Sequence, residues 1–199
     1  MKYINKHYEN TLEIKQSKFI THLVPYSEYN ETLQKLKLKH PKARHFVVAY
    51  RYLNEYNQIV EHSSDDGEPK GTSGKPSLMV LQGFEMINTA VIVVRYFGGT
   101  KLGTGGLVRA YSDAVNLVLS LSELTEYKEE VTKDISFEYS NIRKVEYECD
   151  RLDIDILKKD FISLAVFKIK GAEEDISELS IILDRVIKKI IFENKDIYD

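Results

Sequence analysis

The residues best suited to bind a charged group lie in one glycine-rich stretch, residues 95–109. It holds five of the ten glycines of the chain, and its cations are Arg95, Lys101 and Arg109. Glycine permits positive φ and lets a ligand approach the backbone, and the free amides at the start of a helix favour an anion. We therefore predict an anion- or nucleic-acid-binding site formed by Arg95, Tyr96, Gly99, Lys101, Gly103, Thr104, Gly105, Gly106 and Arg109.

The spacing of these glycines limits the chemistry that can be assigned. It fits neither the Walker loop nor the dinucleotide-binding fingerprint. The alternative is a turn whose glycines only allow a helix to pack tightly on a sheet. Tyr96, next to Arg95, is suited to stack on a base of a single-stranded nucleic acid.

A second polar stretch, residues 61–76, has the composition of a loop. Closely spaced carboxylates suit Mg²⁺, which takes one or two carboxylates and completes its shell with water or phosphate. Asp65, Asp66 and Glu68 are therefore candidate Mg²⁺ ligands, and no other cofactor is predicted. The alternative is an acidic turn whose aspartates accept backbone N–H bonds. The candidate residues of this second loop are Ser63, Ser64, Asp65, Asp66, Gly67, Glu68 and Thr72.

No complete catalytic motif is present. The stretch around Ser63 and Ser64 lacks a nucleophile elbow, which leaves His45, Asp65 and Asp66 as candidate catalytic residues. A histidine at the start of a strand is more often a hydrogen-bonded structural residue than a general base. We expect instead that the acidic loop and the glycine turn meet in one pocket, where the acids align the cations.

The elements around these motifs indicate an α+β fold. Residues 90–94 form an apolar, β-branched run typical of a buried strand, and apolar residues recur at helical spacing from Leu107 to Leu121. The other elements predicted before residue 125 are strands at 11–15, 19–24, 45–53 and 59–60 and helices from Ser27 towards Pro41 and at 77–82.

A polar segment without apolar periodicity predicts a domain boundary. We assign residues 1–125 to an N-terminal domain, 126–133 to a linker and 134–199 to a C-terminal domain. The order βαββαβ in the last part is the ferredoxin-like arrangement. Its predicted elements are strand 135–139, helix 141–151, strands 153–157 and 163–169, helix 174–188 and strand 190–192.

Composition places the chain among ordinary globular proteins and excludes several classes. The net charge is only −3, but residues 1–125 carry +3 and residues 126–199 carry −6, so a polyanion would prefer the first part. The single cysteine, Cys149, excludes an internal disulfide and a multi-cysteine zinc site. We expect a cytoplasmic protein without membrane contact, because no signal core or membrane-length apolar run is present.

These motifs resemble the signature of the IMPACT family, including its bacterial YigZ-type members. The resemblance is carried by residues 43–45, 63–69, 71–74, Gly83 and residues 93–111, and it extends over essentially the whole chain. It implies an N-terminal domain similar to the second domain of ribosomal protein S five and a ferredoxin-like domain similar to the last domain of elongation factor G. Eukaryotic relatives restrain the amino-acid-starvation kinase pathway through an additional RWD domain, so that role is not carried over.

Three functional hypotheses follow. The first is a non-enzymatic, translation-associated regulatory protein that binds RNA, the ribosome or a nucleotide phosphate through the glycine-rich turn. The second is a Mg²⁺-dependent enzyme acting on a phosphorylated small molecule or nucleotide. The third is a protein-interaction module with purely structural loops, whose partners in the translation apparatus contact the acidic second domain.

Overall fold

The computed structural model describes residues 1–192 and divides the chain into two compact units. The first unit is Met1–Tyr127, and the second begins at Lys128. The division falls inside the predicted linker, but a strand already begins at Glu130, so the second half of that linker belongs to a sheet. The predicted end of the C-terminal domain, residues 193–199, lies outside the described residues.

The first unit contains seven strands and three helices within the part of the chain that the structure describes. In chain order they are β1 (Lys2–Tyr3), β2 (Tyr8–Ile14), β3 (Ser17–Pro25), α1 (Tyr29–Lys39), β4 (His45–Leu53), β5 (Ile59–Ser64), α2 (Gly74–Gly83), β6 (Thr89–Tyr96), α3 (Thr104–Ser120) and β7 (Thr125–Glu126). Five strands form an antiparallel sheet in the order β2-β3-β6-β4-β5, and β1 pairs separately with β7. The buried strand predicted at 90–94 is confirmed as the central strand β6.

The two faces of this sheet are covered by different helices. On one face, α2 and α3 pack Leu81, Tyr111 and Val115 against Phe19 and Val93, within the main core. On the other face, α1 packs Leu36 against Ile20, Val48, Ile92 and Val94. Because side chains alternate along a strand, neighbouring residues of β6 point to opposite sides of the sheet.

The second unit is a four-stranded antiparallel sheet with two helices. Its elements are β8 (Glu130–Phe137), α4 (Ile142–Arg151), β9 (Asp155–Phe161), β10 (Ala165–Ala172), α5 (Glu173–Ile182) and β11 (Ile187–Phe192), with strand order β11-β8-β10-β9. The predicted order of elements, βαββαβ, is the order observed. Val145 and Cys149 of α4 and Leu179 of α5 share one core with Phe137 and Phe167.

Several element boundaries differ from the prediction, and two of these differences have identifiable reasons. The helix predicted to reach residue 188 ends at Ile182, because the Leu183 carbonyl accepts hydrogen bonds from Val186 and Ile187 and closes the turn before β11. The loop predicted at 61–76 shortens to residues 65–73, because β5 continues through Ser64 and α2 begins at Gly74. Among residues 1–192, no helix is both long and apolar enough to span a membrane.

Candidate functional site

Asp65 occupies the amino end of α2. Its carboxylate accepts hydrogen bonds from the amides of Gly71, Ser73 and Gly74, at 2.7, 3.1 and 2.8 Å, and from the Ser73 hydroxyl at 2.7 Å. Burial pushes the pKa of Asp65 upwards, but these hydrogen bonds outweigh it and hold the pKa below its usual value. The Asp65 carboxylate is therefore a negative charge of the chain itself that stabilises the amino end of α2.

Asp66 joins the same loop to the start of β4. One carboxylate oxygen accepts the Phe46 amide at 2.6 Å, and the Asp66 carbonyl lies 2.8 Å from Nδ1 of His45. The left-handed backbone at Asp66, φ 43°, and at Gly67, φ 85°, turns the chain there. His45, a candidate catalytic residue, is thus held by a backbone carbonyl, as expected of a structural histidine.

Glu68 is the residue that joins the acidic loop to the glycine-rich stretch. It is 8% exposed, and its Oε1 accepts hydrogen bonds from Arg95 at 2.5 Å and from the Tyr111 hydroxyl at 2.8 Å. Nε2 of His45 lies 3.9 Å from the same oxygen. Burial, followed by the charge of Glu68, raises the pKa of the Tyr111 phenol, so it stays a hydrogen-bond donor. Glu68, one of the predicted acids, therefore binds Arg95, one of the predicted cations, in a buried network.

The hydroxyl residues of the acidic loop have structural positions. Ser63 and Ser64 pair with β4 as the last residues of β5, rather than lying in a loop. The buried Thr72 hydroxyl donates to the Pro69 carbonyl at 2.7 Å. A Cβ atom on Gly74 would lie 2.8 Å from the backbone of Ser64, so glycine is required for α2 to approach β5.

The candidate Mg²⁺ ligands have hydrogen-bond donors within the protein. The carboxylates of Asp65, Asp66 and Glu68 each accept hydrogen bonds from different donors. Their chemistry matches the alternative interpretation, an acidic turn that satisfies backbone and buried side-chain donors. Within residues 1–192, the group of side chains with metal-ligand spacing is instead His7, Glu9 and His22. The sequence interpretation missed this group, because two of its members come from different strands and the third, His7, precedes one of them.

The glycine-rich turn is anchored to the hairpin that joins β2 to β3. A Cβ atom on Gly98 would lie 2.0 Å from the Gln16 carbonyl carbon, and the Gly98 amide donates to the Ser17 hydroxyl at 3.2 Å. Gly99 and Gly103 adopt left-handed backbone angles, φ 87° and 73°, which side chains other than glycine rarely take. The turn thus needs glycine both for contact and for conformation.

The amino end of α3 is the exposed part of this turn. Gly103 precedes the helix, its carbonyl accepts the Leu107 amide at 2.9 Å, and as a glycine it has no side chain that could cap the helix. Thr104, Gly105 and Gly106 supply the first-turn amides, which have no intrahelical acceptor in an α-helix. The helix dipole adds a partial positive charge at the same place.

A cleft of about 260 Å³ adjoins the first three turns of α3. Two cations, Lys15 and Arg109, and one acid, Asp113, lie in its wall. The lining consists of Ile14, Lys15, Leu102, Gly106, Arg109, Ala110 and Asp113. Lys15 was not among the predicted residues. Its position in the two-residue turn between β2 and β3, with φ 46°, brings it there, and no glycine or asparagine in that turn signalled a tight hairpin.

The predicted anion-binding side chains of Arg95, Tyr96 and Lys101 do not lie on one surface. Arg95 is 6% exposed and is engaged by Glu68, whereas Lys101 is exposed in the turn. Tyr96 packs on the α1 side of the sheet, where its hydroxyl lies 2.9 Å from Nδ1 of His40. Alternation along β6 separates Arg95 from Tyr96. The predicted residues that remain together at the helix start are Gly103, Thr104, Gly105, Gly106 and Arg109.

Comparisons with known proteins identify the family to which this two-unit α+β chain belongs. Residues 15–119 match the model of the Impact N-terminal domain. The chain is 39% identical over 156 residues to an IMPACT family member of Haemophilus influenzae, covering 75% of this chain and 74% of that protein. It is 34% identical over 177 residues to the IMPACT family member YigZ of Escherichia coli, covering 84% of each. The chain belongs to the IMPACT family, which confirms the family predicted from the sequence.

A solved structure matches the chain over nearly its full length. This crystal structure of a hypothetical protein superposes with a TM-score of 0.65 at 28% identity and covers 98% of both chains. The region of the family match contains every residue of the acidic loop and the glycine-rich turn, and it contains the lining of the cleft beside α3 except Ile14. The candidate site is therefore part of the region that defines the family.

Proposed function

We propose that this chain is a translation-associated regulatory protein that binds a phosphate group of an RNA or a nucleotide at the amino end of α3. The link to translation rests on membership of the IMPACT family. The binding chemistry rests on the residues of the first unit. No catalytic step is assigned, because the candidate catalytic residues His45, Asp65 and Asp66 are engaged in structural hydrogen bonds.

The observation that carries the proposal is a contrast between two helix amino ends in one unit. At α2, the Asp65 carboxylate accepts three backbone amides, so this end has an anion of its own. At α3, Gly103 precedes the helix, Thr104, Gly105 and Gly106 begin it, and no acidic side chain lies in its first turn. Backbone amides and the helix dipole at such an end favour a phosphate.

The surroundings of α3 supply side-chain charge for the same ligand. Lys15 and Arg109 line the adjoining cleft, and Gly106 forms part of its wall. Asp113 also lines the cleft, so the wall carries two positive charges and one negative charge. Exposed Lys101 lies in the preceding turn. A backbone phosphate fits this mixture of amides and cations better than a large apolar ligand does.

The fold of both units gives further support by analogy. We propose that the first unit is similar to the second domain of ribosomal protein S five. We also propose that the second unit is ferredoxin-like, because its βαββαβ connectivity forms an antiparallel sheet in the order β11-β8-β10-β9. Both folds occur in components of translation, which favours a ribosome or RNA partner as an analogy of fold.

The proposal is tested by equilibrium binding of a short labelled single-stranded RNA over a salt series. The variant Lys15→Gln plus Arg109→Gln removes both cations of the cleft. Its affinity is expected to fall about tenfold or more, and the slope of log affinity against log salt to fall by about 1.4, because two phosphate contacts are lost. Competition by inorganic phosphate and by nucleotides separates an RNA ligand from a nucleotide.

A matched control removes one lysine and one arginine from other exposed places. Lys37→Gln in α1 plus Arg143→Gln in α4 changes the net charge equally and is expected to keep the affinity and the slope of the parent chain. Absence of RNA, ribosome and nucleotide binding would contradict the proposal. Equal losses in the two double variants would contradict it too, because they would indicate only nonspecific charge attraction.

A further inference from the structure

Three side chains of the β2–β3 hairpin place ligand atoms around one point. Glu9 of β2 and His22 of β3 are direct cross-strand partners, and His7 precedes β2. Nε2 of His7 lies 3.0 Å from Nδ1 of His22, and Oε2 of Glu9 lies 3.4 Å from the same nitrogen. The three ligand atoms all lie within 4.8 Å of one another.

These distances suit a tetrahedral cation. Zinc binds imidazole nitrogen and carboxylate oxygen at about 2.0–2.2 Å, so neighbouring ligand atoms in a tetrahedral shell lie about 3.3–3.5 Å apart. The separations of 3.0 and 3.4 Å around Nδ1 of His22 are close to that spacing before any adjustment. Two imidazoles and one carboxylate form a ligand set that zinc uses when its fourth position is open.

The position of His22 fixes one of the three ligand atoms. Its side chain is 1% exposed, so its Nδ1 lies among protein groups rather than in water. Without an ion, Nε2 of His7 and Nδ1 of His22 share one proton in a 3.0 Å hydrogen bond, and Oε2 of Glu9 lies 3.4 Å from the same Nδ1. A divalent cation can instead accept one lone pair from each of the three atoms.

We propose that Nε2 of His7, Oε2 of Glu9 and Nδ1 of His22 bind one Zn²⁺ ion, with water in the fourth position. His7 and Glu9 are exposed, which gives the ion a path from solvent, whereas His22 forms the buried side of the site. Because Leu23 belongs to the core under α2 and α3, its neighbour His22 points to the opposite face of the sheet. The zinc site is therefore separate from the phosphate site proposed above, and either proposal can fail alone.

The experiment is a calorimetric titration of Zn²⁺ into the full chain without a histidine tag. One equivalent is expected to bind, and the midpoint of thermal unfolding is expected to rise with Zn²⁺ because the ion binds the folded state. His7→Gln is the main variant because His7 is exposed. The affinity is expected to fall at least about tenfold in His7→Gln and likewise in Glu9→Gln, since each loses one direct ligand. Circular dichroism checks that both variants stay folded.

His62→Gln is the matched control, because His62 is also an exposed histidine but stacks on Tyr50 in another pair of strands. Its Zn²⁺ affinity is expected to equal that of the parent chain. Co²⁺ should give the visible absorption of a tetrahedral site without a thiolate charge-transfer band, which excludes Cys149 as a ligand. The proposal would be overturned if the parent chain did not bind Zn²⁺. It would also be overturned if the folded double variant His7→Gln plus Glu9→Gln still bound one equivalent, or if His62→Gln lost as much Zn²⁺ affinity as the ligand variants.

Discussion

Gly98 lies in direct contact with the backbone of Gln16, since a Cβ atom at position 98 would be 2.0 Å from the Gln16 carbonyl carbon. The contact fixes the glycine-rich turn against the β2–β3 hairpin. It also sets Lys15, the neighbour of Gln16, beside the cleft that adjoins α3. The position of a predicted ligand-binding turn therefore depends on a backbone contact across 82 residues of sequence, from 16 to 98.

Replacing Gly98 by alanine should destabilise the first unit. The methyl group meets backbone atoms, which cannot move aside as a flexible side chain can, so we expect a loss of about 1–3 kcal/mol or more in the free energy of unfolding. Urea unfolding followed by circular dichroism measures it. Gly105→Ala is the control, because nothing lies within 4 Å of its Cβ position and alanine is accepted in a helix. Equal stability of Gly98→Ala and the parent chain would show that the contact is dispensable.

The buried network of Glu68, Arg95 and Tyr111 should be sensitive to loss of its charge balance. Glu68→Gln keeps the shape of the side chain but leaves the Arg95 guanidinium without its buried counter-ion, which is expected to cost about 3–5 kcal/mol of unfolding free energy. Tyr111→Phe keeps the ring against Phe19 and loses only a hydrogen bond to a charged acceptor, at a cost of about 1.5–3 kcal/mol.

The same urea unfolding experiment ranks these variants. Glu31→Gln removes a carboxylate from an exposed i,i+4 pair with Lys35 and should leave the stability of the chain unchanged. A Glu68→Gln protein as stable as Glu31→Gln would mean that the Glu68–Arg95 pair does not hold the two loops together.

The stability supplied by Asp65 should depend on pH in a defined direction. Its pKa is lower in the folded chain than in the unfolded chain, where an aspartate has a pKa of about 3.9. The contribution is therefore fully present above about pH 5 and is lost as pH falls through the folded pKa. Asp65→Asn is expected to reduce stability by about 1–2 kcal/mol at neutral pH, where the carboxylate cap of α2 is replaced by a neutral amide.

Urea unfolding at neutral pH and at a series of acidic pH values measures this difference. The gap between the parent chain and Asp65→Asn should narrow on acidification, because the parent carboxyl is then protonated as well. A gap that stays constant down to the lowest pH would show that the charge of Asp65 does not contribute.

Cys149 should react slowly with thiol reagents. Burial, followed by the negative charges of Glu146 and Glu148, raises the pKa of its thiol to about 11, so the thiolate that reacts is scarce at mildly alkaline pH. The rate of modification by a disulfide reagent should increase on the order of a hundredfold when urea unfolds the chain. Cys149→Ser, which removes the single cysteine, gives the background rate. Fast modification of the folded chain would contradict the buried position.

The order of elements could be predicted from the sequence where hydrophobic periodicity is strong. The β-branched run of residues 90–94 admits little besides a strand, and the helical spacing from Leu107 onward defines α3. The βαββαβ order of the second unit follows from the same local signals. Boundaries at polar residues were less predictable: Ser63 and Ser64 have loop composition but pair with β4 because the partner strand offers them backbone hydrogen bonds.

The two polar loops and the cations of the glycine-rich turn could also be located from the sequence, because glycine spacing and charge are properties of neighbouring residues. The use of these groups depends on tertiary contacts. The loop before α2 brought Glu68 to Arg95 in the interior, while the sheet turned Tyr96 to the other face and the β2–β3 turn brought Lys15 to the cleft beside α3. It also joined His22 to Glu9 across two strands. Such partners lie far apart in the chain, and strand register, which no local pattern records, determines which of them meet.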